Sequence, residues 1–315
     1  MSSEQYHPAQ KLKVTQEQAG QRLDNFLFAR FRQLPRARIY RMLRKGEVRV
    51  NGGRTRQSYR IRPGDELRLP PVRLPAAGEA VPIAGRDLRA VAGAVLHEDA
   101  DLLVLDKPAG LAVHAGSGVD YGVIEVLREL RPAEPFLELA HRLDRGTSGC
   151  LLLARNRRTL MALHESWRRG GVRKQYLALV AGRWRGGRRR VDLPLERVGA
   201  EGAQRRTRVD ADGKRARSLF EPVERFDVAT LMRVTIDTGR THQIRVHAAE
   251  LGYPLLGDDH YGDFALNRRW RKRGLKRLAL HAWRLAFTLP GEHEPRAFEA
   301  PLPPDLTTVV EALRG

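Results

Sequence analysis

Apolar residues near the start of the chain recur at a helical period. Seven of them fall on one face of a helix pair that Pro35 interrupts: Leu23, Phe26, Leu27, Phe31, Ile39, Met42 and Leu43. This spacing is typical of helices with one buried face. The following stretch, EVRVNGGRTRQSYRIRPGDELRLP, is typical of short strands joined by turns at 51–53 and 63–65. The pattern predicts a module of two helices and a small sheet over residues 18–80.

From residue 81 onward the predicted elements are mainly strands. Apolar runs favour strands at 95–98, 102–106, 137–140, 149–154 and 174–182. Helical spacing of apolar residues favours helices at 159–168 and from about Thr241 to Gly252. We therefore expect a second domain, residues 81–315, in which strands dominate and helices interrupt them.

Two kinds of segment show neither the helical spacing of apolar residues nor the apolar runs that predict strands. Residues 70–87 are rich in Pro, Ala and Gly, which is typical of a linker. The stretches GRWRGGRRR and RVGAEGAQRRTRVDADGKRARS combine Arg with Gly. We expect these two stretches to be mobile, and either to contact RNA or to be disordered.

Positive charge changes this picture, because the chain carries a net charge of +20 and has a pI near 11.0. Twelve Arg or Lys residues lie between Arg30 and Arg62, and Glu47 is the single acid among them. Charge that serves only solubility would be spread along the chain, so this clustering favours nucleic acid as the partner. A merely soluble, Arg-rich protein is the alternative.

Several classes of protein are not indicated. The chain has no apolar window of 18 residues, and MSSEQYHPAQ lacks the apolar core of a signal peptide, so we expect a cytoplasmic protein. Cys150 is the one cysteine, which excludes an internal disulfide and a cysteine-based zinc site. Its apolar neighbours predict a small core residue. Phosphate loops of the types G-x-G-x-x-G and G-x-x-x-x-G-K-[ST] do not occur, so nucleotide-dependent chemistry is not indicated.

The stretch HRLDRGTSG places Asp144 between Arg142 and Arg145, in a loop between two predicted strands. A cation within about 4 to 6 Å favours the charged form of a carboxylate, so Asp144 would be available as a nucleophile or base. Carboxylates act in this way on the anomeric carbon of sugars, and a nucleoside presents the same carbon, C1′. The alternative is an ordinary surface ion pair.

A second constellation lies in VTIDTGRTHQIRVHAAELGYPL. It predicts a strand, a turn at 238–239 and a helix from which Arg245 projects. His242 and His247 are five residues apart, which does not match the paired zinc ligands of an H-E-x-x-H helix, so metal binding is not expected. We interpret both histidines as hydrogen-bonded structural residues or RNA contacts.

Three segments of the N-terminal module, AGQRLDNFL, RARIYRMLRKGEVRVNG and RPGDEL, resemble an S4 RNA-binding domain. The resemblance covers about residues 20–70 and is specific in order and spacing. It implies that the second helix and the loop after it contact RNA. The basic residues concerned are Arg36, Arg38, Arg41, Arg44 and Lys45. Solvated surface charge is the alternative for each of them.

Four further motifs, in this order, resemble the RluA family of pseudouridine synthases: HRLDRGTSGCLLLARN, RKQYLALV, GRTHQIRVHAAELGYPLLGDDHYG and RLALHAWRL. With the opening HEDADLLVLDKPAG, the resemblance covers nearly the whole chain. It implies the pseudouridine synthase fold, which is of the α+β class on a mixed, largely antiparallel β-sheet. It also implies a monomer that isomerises uridine in 23S ribosomal RNA of the large subunit. Such a reaction involves no redox change and no phosphate transfer, so no cofactor and no metal are expected.

The same resemblance implies roles for individual residues. Asp144 would be the catalytic aspartate, and Arg142 would enter the RNA helix to help eject the target base. Tyr176 would line the pocket against that base and assist removal of the C5 proton. Arg245 would pair with Asp144.

Two positions depart from the family pattern, which often has an acid at Gly146 and Asp at Gln175. Neither departure removes a catalytic atom, and both leave the target preference open. Two rival functions are a base-excising glycosylase, which admits water at C1′ and releases the base, and a non-enzymatic ribosome-assembly factor. Intact Asp144, Tyr176 and Arg245 disfavour the assembly factor, because an inactive site is free to lose any of them.

Overall fold

The computed structural model describes residues 5–16, 18–31, 34, 36–74, 82–116, 119–199 and 206–315. The chain divides into two compact units, residues 1–82 and 83–315. Within the described ranges, no helix combines the length and the apolar character needed to cross a membrane.

The N-terminal unit contains the predicted helix pair and short strands. Its helices are α1 (Leu23–Arg30) and α2 (Arg36–Lys45). Its strands are β1 (Gln5–His7), β2 (Gln10–Lys13), β3 (Arg49–Val50), β4 (Glu66–Leu69) and β5 (Val72–Leu74). Strand β4 lies between β2 and β3 in an antiparallel sheet, and β1 pairs with β5. All seven apolar residues predicted for the helix pair are buried in one core, which confirms that prediction.

The linker predicted at residues 70–87 is wrong at both ends. Strand β5 lies inside its first part, and helix α3 (Gly85–Ala92) begins inside its last part. Val72 is buried in the N-terminal core, and Ile83 packs against a core of the second unit. Isolated apolar residues therefore anchor each end of the segment to a folded unit. Residues 75–81 lie outside the described ranges.

The second unit is built on one large sheet. Its strands are β6 (Val95–Glu98), β7 (Leu102–Lys107), β8 (Glu138–Leu139), β9 (Ser148–Ala154), β10 (Arg173–Ala181), β11 (Arg189–Asp192), β12 (Leu195–Val198), β13 (Arg206–Val209), β14 (Arg217–Arg225), β15 (Ala229–Ile236), β16 (Leu280–Phe287) and β17 (Arg296–Glu299). Its helices after α3 are α4 (Val123–Leu130), α5 (Arg157–Arg169), α6 (Gln243–Glu250), α7 (Phe264–Lys272) and α8 (Pro304–Arg314). The strand order of the large sheet is β11-β14-β15-β10-β16-β9-β7-β6, with β17 also paired to β16 and β8 to β9, while β12 and β13 form a separate two-stranded sheet.

All recorded pairs of this sheet are antiparallel except β9 with β16, so the α+β fold on a mixed, largely antiparallel sheet is confirmed. The parallel pair joins Ser148 and Gly149 to His281 and Ala282. Gly149 has φ 108°, and a Cβ at this position would collide with the backbone of Ala282. Only glycine fits so close an approach. This contact fixes the end of the loop that carries Asp144.

The two Arg- and Gly-rich stretches contain strands that were not predicted. GRWRGGRRR leads into β11, and the second stretch contains β13 and the end of β12, which pair with each other. Residues 200–205 between them lie outside the described ranges. Trp184 is only 2% exposed and packs against Phe220 and Tyr253. The expectation that these stretches are mobile is therefore wrong where such sparse apolar residues anchor them.

The lone cysteine is a core residue, as predicted. Cys150 lies in β9, where it is free and buried. Burial raises the pKa of its thiol to about 12, so it stays protonated and unreactive at neutral pH.

Candidate active site

Four predicted site residues, Arg142, Asp144, Tyr176 and Arg245, line one cavity of about 90 Å³. Arg142 and Asp144 precede β9, Tyr176 lies on β10, and Arg245 lies on α6. The other lining residues are Leu143, Thr147, Ile236, Leu280 and residues 239–244. Segments far apart in the sequence thus bring the Asp144 carboxylate, the Tyr176 phenol and the Arg142 and Arg245 side chains into a shared space.

The loop of Asp144 is closed by a turn. Its backbone carbonyl accepts a hydrogen bond from the Thr147 N–H at 3.0 Å, and its side chain is 23% exposed. Arg142 is exposed. Arg145 donates from Nε to the Gly110 carbonyl oxygen at 2.8 Å and does not line the cavity. Although Arg145 follows Asp144 in the sequence, another loop engages its guanidinium group, so it does not hold the Asp144 carboxylate.

Arg245 does not form the predicted ion pair with Asp144. Its Nε and Nη2 atoms donate to the two carboxylate oxygens of Asp258 at 2.7 and 2.6 Å. Both side chains are almost fully buried, and no salt bridge joins Arg245 to Asp144 among the residues that the structure describes. The physical reason is burial, because a buried guanidinium group requires a buried carboxylate that matches its planar fork.

The two charges of this buried pair stabilise each other. Burial alone would lower the pKa of Arg245, but the hydrogen bonds and charge of Asp258, with a further contribution from Asp144, raise it. Burial would raise the pKa of Asp258, but the hydrogen bonds and charge of Arg245 lower it. Asp258 also accepts hydrogen bonds from the backbone N–H groups of His260 and Tyr261. Arg245 is therefore a fixed cation beside the cavity.

Tyr176 lies at an irregular step of the sheet. The pairing of β10 with β16 shifts between Gln175 and Leu177, because one residue of β10, Tyr176, lies opposite two residues of β16. Its side chain packs against two apolar cores and lines the cavity. Burial, and then the negative charge of Asp144, raise the pKa of Tyr176 well above its usual value. Its hydroxyl is therefore protonated at neutral pH and available as a donor.

The two histidines near α6 have different surroundings. His247 is fully buried, and its ring nitrogens bond to the Ser218 hydroxyl and the Leu193 carbonyl, both at 3.0 Å, as predicted for a structural histidine. His242 lines the cavity, with Nε2 at 3.9 Å from Oδ2 of Asp144. Burial lowers the pKa of His242 to about 4, so its ring is neutral at pH 7. In the described ranges, no group of three or more His, Cys, Asp or Glu residues is placed to hold a metal ion.

Lys107, at the end of β7, is a site residue that the sequence reasoning missed. Its side chain is fully buried, and Nζ donates to the carbonyl oxygens of Pro108 and Leu111 at 2.8 and 2.7 Å and approaches that of Arg145 at 3.4 Å. Burial lowers the pKa of Lys107 to about 7, although the charge of Asp144 opposes this change. The lysine therefore ties the loop after β7 to the loop of Asp144. Its signal was a lone cation in the apolar run LLVLDKPAG, since such a group is buried only when satisfied.

In the N-terminal unit, α2 carries the predicted RNA-binding residues. Arg41, Arg44 and Lys45 are exposed, and Arg38 forms a salt bridge with Glu47 at 3.4 Å. The side chain of Arg36 lies outside the described part of the chain. The helix therefore packs its apolar face into the core and presents cations to solvent.

Comparison with known proteins extends this picture. The chain matches the RNA pseudouridylate synthase family over residues 101–250 and the S4 domain over residues 21–67. It is 47% identical over 305 residues to ribosomal large subunit pseudouridine synthase C of Escherichia coli K12, covering 96% of each chain. The protein of the same name from Yersinia pestis is 46% identical over 307 residues, covering 97% of this chain and 96% of that one. The solved structure of human RNA pseudouridylate synthase domain containing 4 aligns with a TM-score of 0.59 at 26% identity, covering 72% of this chain and 95% of that one.

Proposed function

The chain belongs to the RNA pseudouridylate synthase family and is a pseudouridine synthase, and we propose that it converts uridine to pseudouridine in 23S RNA of the large ribosomal subunit. The observation that carries this proposal is the convergence of Asp144, Tyr176 and Arg245 on one cavity. The names of relatives such as ribosomal large subunit pseudouridine synthase C support the choice of RNA. The S4 domain and the net charge of +20 support a polyanionic substrate.

The target uridine must leave its helix before it reaches the cavity. Stacking hides C1′ and C5, so the nucleotide is flipped out at a cost of about a few kcal/mol, which backbone contacts and new stacking offset. We assign Arg142 to this step, because it is exposed and lies two residues from Asp144. The ring of Tyr176 then supplies a surface for the flipped base.

Asp144 acts on the sugar. Its carboxylate either attacks C1′ or removes the C2′ proton to give a glycal, and both routes break the bond between N1 and C1′. The freed uracil turns in the cavity and C5 bonds to C1′, and in the first route this step displaces the Asp144 carboxylate from C1′. The C5 proton then leaves, N1 gains a proton, and in the glycal route C2′ regains its own. The product is an isomer of the substrate, so the reaction consumes no oxidant or reductant.

Arg245 and Tyr176 have supporting roles in this mechanism. Asp258 holds the Arg245 cation in place beside the cavity, so this guanidinium group is not displaced when substrate enters. The Tyr176 hydroxyl is protonated in the free enzyme, so it contacts the flipped base as a donor. It can relay the C5 proton only by passing its own proton on.

Residues 18–80 supply affinity for RNA in this proposal, while residues 81–315 supply the chemistry. Exposed Arg41, Arg44 and Lys45 on α2 are suited to contact phosphates, together with Arg36 and Arg38. One chain contains all of these groups, so a monomer is sufficient. We place the reaction in the cytoplasm, where a free thiol is kept reduced.

Mapping pseudouridines in 23S RNA from cells with and without the protein tests this function. We expect specific pseudouridines to disappear when the protein is removed and to return with the wild-type chain. An unchanged map would contradict the proposed substrate. With purified protein and RNA, release of free uracil would indicate a glycosylase, and RNA binding without either product would indicate an assembly factor.

A further inference from the structure

The carboxylate of Asp144 lacks the donor that the sequence reasoning expected for it. Arg245 directs its Nε and Nη2 atoms to Asp258, and Arg145 is bound to Gly110. Among the residues that the structure describes, no hydrogen bond reaches either carboxylate oxygen of Asp144. A nucleophile or base must nevertheless be held in a defined orientation if it is to react with one atom of the ribose.

His242 is placed to supply that donor. Its Nε2 atom faces Oδ2 of Asp144 at 3.9 Å, across the cavity that both residues line. This separation is longer than a hydrogen bond, but catalytic hydrogen bonds are often long in the free enzyme and tighten in the complex with substrate.

Tyr261 contacts Nδ1 of His242, the ring nitrogen other than the one that faces Asp144. The Tyr261 hydroxyl lies 2.8 Å from Nδ1 of His242 and also accepts the backbone N–H of Thr207 at 2.8 Å. The hydroxyl oxygen accepts from Thr207, and its own proton is in reach of Nδ1, which can accept it. An Nδ1 atom that accepts leaves the ring proton on Nε2, on the side of Asp144.

The backbone at His242 gives a second, independent observation. This residue is in the left-handed region with φ 55°, immediately before α6. Among the described residues that are not glycine, only Asn51, in a turn, shares a positive φ. Glycine adopts this conformation without strain, whereas a bulky side chain does so at a cost that is typical of functional sites.

We propose that His242 is a positioning residue that donates its Nε2–H to the Asp144 carboxylate, with its tautomer fixed by Tyr261. This inference rests on the proposed function of Asp144. One carboxylate oxygen is then oriented by the imidazole, and the other is left to react with the ribose. A neutral donor is suited to this task because it orients the carboxylate without cancelling its charge.

The surroundings of His242 keep its ring neutral. Burial is the main cause of the lowered pKa, and the cation of Arg245 and the ring of His260 act in the same direction. The negative charges of Asp144 and Asp258 oppose them without restoring the usual value. The Nε2–H tautomer is therefore the form that can meet Asp144 at pH 7.

Nitrogen-15 NMR of the full-length protein without RNA tests the tautomer directly. The signals of His242 are identified by their loss in His242→Gly. We expect a neutral ring with the proton on Nε2 at pH 7, and a change in this pattern in Tyr261→Phe. A proton on Nδ1, or a charged ring, would overturn the inference whether or not the enzyme acts on ribosomal RNA.

Single-turnover rates with saturating RNA test the role of the donor. His242→Gly removes the donor and suits the left-handed backbone, so the variant should fold, with relief of backbone strain offsetting part of the lost contact to Tyr261. We expect its rate to fall about 10- to 100-fold, as for loss of one hydrogen bond to a charged group, with little change in RNA affinity. His242→Gln offers an N–H at a similar reach and should recover part of the rate. A control variant, His164→Ala on α5, should match wild type.

A glycine variant with the wild-type rate would overturn the inference, and so would a glutamine variant no faster than glycine. Failure of the wild-type enzyme to modify any RNA would instead contradict the proposed function, and the NMR result would still decide the tautomer.

The double variant His242→Gly with Tyr261→Phe tests whether Tyr261 acts through His242. If Tyr261 acts through His242, the double variant should be no slower than His242→Gly, whereas additive losses would contradict that link.

Discussion

Helix α2 of the N-terminal unit and the cavity of the second unit use positive charge in opposite ways. On α2, Arg41, Arg44 and Lys45 are exposed to solvent. Beside the cavity, Arg245 is 6% exposed and forms a bidentate pair with Asp258, which is 1% exposed. The cations of α2 are open to an incoming polyanion, whereas the buried guanidinium group is already matched inside the protein.

Exposed and buried cations respond differently to added salt and to the loss of a partner. An exposed cation acts over a Debye length of about 8 Å at physiological salt and is screened when salt is added. A buried cation depends on its partner, because removing one member of a buried pair typically costs about 3 to 5 kcal/mol. We therefore expect substitutions at the cavity to change rate or stability at any salt concentration. Substitutions on α2 should change RNA affinity in a salt-dependent way.

The largest effect is expected from Asp144→Asn, which keeps the size of the side chain and removes its charge. The single-turnover rate of pseudouridine formation should fall about 10⁴-fold or more, as when a nucleophile or base is lost. RNA affinity and melting temperature should stay near wild type. The matched control is Asp259→Asn, an exposed aspartate paired with Arg271, which should keep its rate. Measurable turnover by Asp144→Asn at saturating RNA would refute the assignment.

The next effect concerns stability. Arg245→Ala leaves the Asp258 carboxylate buried without its partner and should lower the free energy of unfolding by about 3 to 5 kcal/mol. Arg271→Ala removes an exposed cation paired with Asp259 at 2.7 Å and should cost about 0 to 1 kcal/mol. Urea titrations of both variants at low and high salt measure the difference. Equal stabilities would show that burial does not distinguish the two pairs.

Much of this architecture could be predicted because it follows from local patterns. The apolar period of α1 and α2 is read directly from residues such as Leu23 and Ile39, which are both fully buried. The motifs HRLD, RKQY and GRTHQIR identified three residues that line one cavity, Asp144, Tyr176 and Arg245, because each motif sits at the end or middle of a predictable element.

Partner choice could not be predicted, because it depends on contacts between distant segments. Arg245 pairs with Asp258, which lies in a turn after α6 that carries no periodic signal. Trp184 looked like part of a mobile stretch, yet it is buried against Phe220 of β14. The position of Lys107 could not be predicted for the same reason. The carbonyl groups that accept its hydrogen bonds belong to loops whose conformation does not follow from a local sequence pattern.

A moderate loss of stability is expected at acidic pH, because the second unit buries a neutral histidine. His281 is fully buried between the Ser148 hydroxyl and the Ala300 carbonyl, and burial lowers its pKa to about 4. Its unfolded value is near 6.5, so the stability that this neutral ring contributes is complete above pH 6.5 and is lost as pH falls toward 4. At pH 5 the loss should be about 2 kcal/mol, at low and high salt alike.

Unfolding titrations of wild type and His281→Gln at pH 7 and pH 5 measure this contribution. The variant should be less stable at pH 7 but should lose less stability on acidification. His114→Gln, which changes an exposed histidine, should keep the wild-type dependence. If His281→Gln and wild type lose equal stability between the two pH values, His281 does not titrate in this range.

The smallest effect on rate and stability is expected from the triple variant Arg41→Ala, Arg44→Ala and Lys45→Ala. All three side chains are exposed, so the fold and the single-turnover rate at saturating RNA should stay unchanged. Each phosphate contact contributes about 0.9 (duplex) or 0.7 (single strand) to the slope of log K against log salt, so the slope should shrink by about 2 to 3 units. The control is Arg158→Ala, Arg168→Ala and Arg169→Ala on α5, which removes the same charge from another surface. Equal slopes for the two triple variants would show that the α2 cations contribute only through the net positive charge of the protein. A lost single-turnover rate in the α2 variant would show that the N-terminal unit takes part in the chemistry.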